Sequence, residues 1–189
     1  MTFNFDKVPA PNNWAIAIFC ALLLILTVEV VQYRRKLSLL VKSLFSQRHF
    51  SLLLREGKFM EELPAFVLLF ADLASYAFGL LIILDQFHHE IVSQLTYIGC
   101  WGILWAGLLL LYWAKFLCHR VYAALYDYDR EVYAMNLYKF AFLTDTSMLL
   151  FPISIVAAFT NTFACLYAFI PLFFAIAFVW VFKMSFLTI

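Results

Sequence analysis

Charge is scarce in this chain. Only 13% of its 189 residues are Asp, Glu, Lys or Arg, and 66% are hydrophobic; soluble domains carry about 25% and about 45–50% respectively. A water-soluble enzyme, a nucleic-acid binder and a disordered regulator are excluded by that balance. Catalytic signatures are lacking too: there is no Gly-rich phosphate loop, no serine-nucleophile motif and no HExxH. The cysteines Cys20, Cys100, Cys118 and Cys165 are scattered with no CxxC, so they read as small residues in apolar surroundings rather than a disulfide framework. A membrane haem needs imidazoles at matched depth on facing helices. Here His49 and His119 fall in polar connections and His88 and His89 are adjacent, so no cofactor is expected. No internal repeat is visible, which counts against the inverted-repeat plan of many transporters.

What the chain has in abundance is long apolar runs, with a mean hydropathy of +0.90. One membrane helix takes about 20 apolar residues, so the length allows four to six spans and no separate soluble domain. The runs predict an all-α, polytopic membrane protein, a single domain over 1–189 with five transmembrane helices at about 14–33, 63–84, 91–114, 140–160 and 163–182. The first has no basic region before it and no small-residue cleavage site after it, unlike a signal peptide. Two tracts, 36–56 and 118–138, place basic residues or tyrosines among apolar ones at helical spacing. They read as cytoplasmic amphipathic helices at the interface, or more plainly as connections stabilised by headgroups.

The basic residues orient the bundle. Arg34, Arg35, Lys36, Lys42, Arg48, Arg55 and Lys58 follow span one. Lys115, Arg120, Arg130 and Lys139 lie between spans three and four, and Lys183 follows span five. Five spans put these twelve on one side and Lys7 alone on the other. Positive loops stay in the cytoplasm, so the N-terminus is expected outside and the C-terminus inside.

Ionisable groups within spans are functional hypotheses by default. Three acids qualify. Glu29 lies within a turn of the cytoplasmic end of span one, able to snorkel or to pair with Arg34 or Arg35. Asp145 sits in Thr144-Asp145-Thr146-Ser147, whose hydroxyls can bond it. Asp72 falls near the middle of span two, with Ser75 and Tyr76 on the same face. A proton or cation relay and a hydrogen bond between helices are both open to it. Packing signals stand beside these: Ala71, Ser75 and Gly79 form a small-residue ladder on span two, and Gly102 and Ala106 form another on span three. Such faces let backbones approach in lipid, so spans two and three are expected to pack on each other or on a partner. Tyr122, Tyr126, Tyr133 and Leu137 make a stripe at i, i+4, i+11 and i+15. Interfacial tyrosines of this kind suit a docking surface for another protein as well as headgroup contact.

Two blocks, LLLREGKFMEELPAFVLLFADLASYAF and EVYAMNLYKFAFLTDTSMLLFPISIVAAF, carry a family resemblance. From about residue 51 onward the chain resembles small membrane proteins of Bacteroidota described as domain of unknown function 4271, in which a tyrosine-bearing segment leads into a helix broken at Phe151-Pro152. Asp72 and Asp145 depart from the small or amide residues common there. The resemblance supplies no catalytic residues. It implies the inner (cytoplasmic) membrane of a Gram-negative envelope and an accessory role in an envelope complex, such as protein export. The resulting expectation is a non-enzymatic accessory or scaffold subunit of a multi-subunit membrane complex, with lipid and other integral membrane proteins as partners and no nucleic acid. The alternative is a small transporter or proton-conducting subunit using Asp72 with Asp145 or Glu29. A membrane enzyme acting on lipid ranks behind both.

Overall fold

Inside lipid no water satisfies backbone N–H and C=O groups, so an apolar run of 20 residues folds as a helix that bonds itself. The computed structural model describes residues 13–55, 59–87 and 96–160, together with 174, 175 and 178. The described elements are helical throughout: α1 (Asn13–Phe45), α2 (Gln47–Arg55), a 3-10 turn (Phe59–Glu61), α3 (Leu63–Phe87), α4 (Tyr97–Tyr126) and α5 (Asp129–Thr160). Among the described residues four helices, α1, α3, α4 and α5, are long and apolar enough to cross a membrane. The expected fifth span, 163–182, lies outside the described residues except at 174, 175 and 178, as do His88, His89 and the start of span three.

The helices overrun their expected limits. α1 has 33 residues, about 50 Å at 1.5 Å per residue, against about 30 Å of hydrocarbon. Its backbone leaves helical geometry at Tyr33 (φ −120°, ψ 27°), where the apolar run gives way to Arg34-Arg35-Lys36. Beyond that break Leu37, Leu40 and Ser43 are buried. Ser46 interrupts the chain, and α2 then buries Phe50 and Leu53, three residues apart on one face. The tract 36–56 is therefore two helices packed against the bundle up to Arg55, and not a loop. Phe50 meets Tyr138 edge-on at 4.9 Å, and Phe59 meets Phe140 at 5.9 Å. Lys36 pairs with Glu62, joining the part of α1 just beyond the Tyr33 break to the entry of α3.

The expected interfacial segment 118–138 is divided in two. α4 continues to Tyr126, and Asp127 takes a left-handed conformation (φ 58°, ψ 35°). Its N–H and that of Tyr128 both bond the Ala123 carbonyl, the latter at 3.3 Å, which closes the end of α4 in the manner of a Schellman cap. α5 then starts at Asp129 with Asp129 and Glu131 in its first turn, where negative charge complements the helix dipole. α5 also runs unbroken through Pro152. Proline there removes the N–H that would bond the Met148 carbonyl, but Pro152 is exposed at the helix surface and the chain stays helical to Thr160.

α3 is the central helix, with 67% of its apolar stretch buried, against 6% for α4. The ladder Ala71, Ser75 and Gly79 is buried on α3, and its Gly79 faces α5. A Cβ built on Gly79 would lie 3.2 Å from Ser154 Oγ and 3.3 Å from a Leu150 methyl. Of the two expected arrangements, spans two and three packing on each other or on a partner, the first is not made through small residues on the α4 side: among the described residues nothing lies within 4 Å of a Cβ at Gly102 or Gly107, and Ala106 is exposed. Tryptophans make the α3–α4 contact instead. Trp101 and Trp105 stack with centroids 5.7 Å apart, and their indole N–H groups donate to the Ala74 and Phe70 carbonyls at 3.2 and 3.3 Å.

Candidate functional site: a buried carboxylate pair between two helices

Polar groups within a bundle must find partners inside it, because hydrocarbon offers none. The side of α3 carrying Asp72 and the side of α5 carrying Thr144 and Ser147 meet that requirement together. Asp72 is fully buried, as are Thr144 and Thr146. The Thr144 hydroxyl donates to Asp72 Oδ2 at 2.7 Å, and the Ser147 hydroxyl donates to Oδ1. Thr144 and Ser147 stand three residues apart and so share a helical face; that spacing matches the two oxygens of one carboxylate. One turn along α3, the Tyr76 hydroxyl bonds Thr146 Oγ1. Thr146 also donates to the Phe142 and Leu143 carbonyls. Ser75 donates to the Ala71 carbonyl of its own helix at 2.9 Å.

Asp145 is placed differently. The hydroxyls beside it in sequence serve Asp72 and Tyr76. Asp145 is buried, and among the described residues its Oδ2 has no hydrogen-bond partner. It lies near enough to Asp72 for the two carboxyl groups to interact electrostatically. Tyr76 and Tyr112 are also within electrostatic range of Asp72. Further along α5 the Ser154 hydroxyl is buried beside Gly79, without a partner among the described residues. A polar stripe thus follows the α3–α5 interface, built from one satisfied carboxylate and several hydroxyls.

A family model matches residues 15–189. The chain belongs to the family described as Domain of unknown function (DUF4271). No curated protein and no solved structure matches it.

The remaining predicted residues of this DUF4271 chain are dispersed. Glu29 is 5% exposed on α1, and among the described residues the ion pair to Arg34 or Arg35 is not formed; the pairing in that region is Lys36 with Glu62. Tyr122 and Tyr126 are exposed on α4 with rings 4.7 Å apart. Tyr133 is half-buried across the turn on α5 and Leu137 is buried, so the tyrosine stripe is split between two helices. Three contributors escaped the sequence reading. Trp101 and Trp105 were readable as an i, i+4 pair, but their acceptors are carbonyls of another helix. Asp85, which accepts from Tyr97 Oη at 3.2 Å, joins the ends of α3 and α4 across residues outside the described range.

Proposed function

We propose that this chain is a non-enzymatic subunit of a larger inner-membrane assembly, docked to its partner through α4. The observation that carries the reading is the state of α4. Only Cys100 and Ala123 of its 30 residues are buried among the described residues, and Gly102, Ala106 and Gly107 lie open along it. Small residues on an exposed membrane helix suit close approach by a second helix. The buried acids of α3 and α5 fit the same reading, because Asp72 already accepts two hydroxyl bonds and acts as a lock inside the subunit. Five spans with the N-terminus outside, and a place in envelope biogenesis or protein export, extend this proposal along the lines of the basic-residue count and the family. The test is affinity purification after gentle detergent extraction, with Gly102→Leu/Gly107→Leu beside the natural chain. The natural chain should bring a membrane partner, and the variant should lose it while remaining folded. A natural chain that migrates alone overturns the proposal.

One observation favours a second reading, a proton-conducting component. Among the described residues Asp145 Oδ2 is buried without a donor, and Asp145 lies within electrostatic range of Asp72, as do Tyr76 and Tyr112. Proton flux into vesicles holding the purified protein, abolished by Asp72→Asn, would support it; an equal flux in that variant removes it.

A further inference from the structure

Two adjoining cavities open beside α4 and α5, near the turn at Asp127. The inner one, about 290 Å³, is walled by Phe66, Leu69, Trp113, Phe116 and Phe140 from α3, α4 and α5. The outer one, about 810 Å³, is edged by Arg55 of α2, Arg120 of α4 and Arg130 of α5, with Asp129 as the one carboxylate. The two share Phe116, Arg120, Tyr133 and Asn136, so they form one groove that is aromatic at its deep end and cationic at its mouth. Arg55 also edges a third cavity with Arg35 and Lys42, which adds positive charge on the far side of the mouth. Asn136 is held in place there. Lys139 Nζ donates to His119 Nε2 at 3.5 Å, which leaves His119 Nδ1–H to donate to Asn136 Oδ1 at 2.8 Å. The carboxamide oxygen is thereby used, and the Asn136 N–H₂ remains as a donor between the two cavities.

We propose that this groove binds one anionic phospholipid, its phosphate among Arg55, Arg120 and Arg130 and an acyl chain along Phe66, Leu69 and Phe116. The charge pattern selects the occupant. Three guanidiniums, which pair with phosphate oxygens in bidentate fashion, face one carboxylate, and the apolar end suits a hydrocarbon chain rather than a soluble anion. Basic recesses between membrane helices are a known kind of anionic headgroup site. The surrounding bilayer supplies the ligand, so entry costs no transfer of the chain through water.

The test is native mass spectrometry of the full-length protein released from nanodiscs of mixed phosphatidylglycerol and phosphatidylcholine. The natural chain should retain one phosphatidylglycerol in preference to phosphatidylcholine. Arg120→Gln/Arg130→Gln should lower that retention about 25-fold, about fivefold for each charge near the surface. Both arginines are exposed, so folding should be spared. Arg34→Gln/Arg48→Gln removes the same charge from exposed positions outside the groove and should leave retention unchanged. Equal losses in the two variants, or no preference for phosphatidylglycerol in the natural chain, overturn the proposal. Glycerol phosphate should not compete; displacement by it would mean that the site takes a free phosphate and not a lipid.

Discussion

The bond from Thr144 to Asp72 can be weighed directly. Thr144→Val keeps the shape of a fully buried side chain and removes the hydroxyl that reaches Asp72 Oδ2 at 2.7 Å. Hydrogen bonds between membrane helices average about 0.6 kcal/mol and reach about 1.7 kcal/mol. A well-formed bond to a fully buried carboxylic group belongs toward the upper end, so Thr144→Val should cost about 1–2 kcal/mol. Asp72→Ala leaves a void and two donors without their acceptor. Ser147 retains a bond to the Thr144 carbonyl at 3.2 Å, whereas the Thr144 hydroxyl has no other acceptor among the described residues. The expected cost is about 2–4 kcal/mol. Asp72→Asn preserves the shape, with one amide oxygen to accept and one N–H₂ to donate to a rotated hydroxyl, and should cost less than about 1 kcal/mol. The assay is detergent-titrated unfolding in mixed micelles, followed by tryptophan fluorescence, since Trp101 and Trp105 both bond α3. The double variant Asp72→Ala/Thr144→Val should be more stable than the sum of the single losses predicts, by about 1 kcal/mol. Additivity within about 0.3 kcal/mol would refute a direct bond as the source of the stability.

Three further outcomes follow from the packing. Gly79→Ile should destabilise the bundle by about 1–3 kcal/mol, because the added branches meet Leu150 and Ser154; Gly102→Ala should leave unfolding of the isolated chain unchanged or slightly raise its stability, by up to about 1 kcal/mol from helix propensity. Asp127→Gly should be neutral in the same assay, while Asp127→Val, forced to φ 58°, should cost about 1–2 kcal/mol. Lys36→Ala should cost less than about 1 kcal/mol, because its pairing with Glu62 is partly exposed, and the loss should shrink further in high salt.

Helix identity was legible because it depends on local quantities. A run of apolar residues must bond its own backbone in lipid, so α3 begins at Leu63 as expected and α5 carries the whole of the fourth run. Ends were less legible. The amphipathic stretches after Tyr33 and before Phe140 were set apart from the spans by their charge, yet both are helical on either side of their breaks at Tyr33, Ser46 and Asp127, because charged side chains do not themselves break a helix. The αL turn at Asp127 is a single-residue event inside a tyrosine-rich tract. It divides a stripe that would be continuous on one straight helix.

The site divides along the same line. Composition determined that an acid at position 72 needs a partner, and the Thr-Asp-Thr-Ser sequence marked where hydroxyls were plentiful. Sequence proximity suggested that those hydroxyls serve Asp145. Tertiary structure assigned Thr144 and Ser147 to Asp72, Thr146 to Tyr76, and left Asp145 Oδ2 without a donor among the described residues. The physical reason is rotation: successive residues of a helix diverge by about 100°, so neighbours in the chain face different helices. By itself the sequence determined that charge is scarce, that the chain is helical and fit to cross a membrane, and which few polar groups are buried at a cost. Only the packing of α3 against α5, with α4 held at one edge by two indoles, decided which of those groups meet.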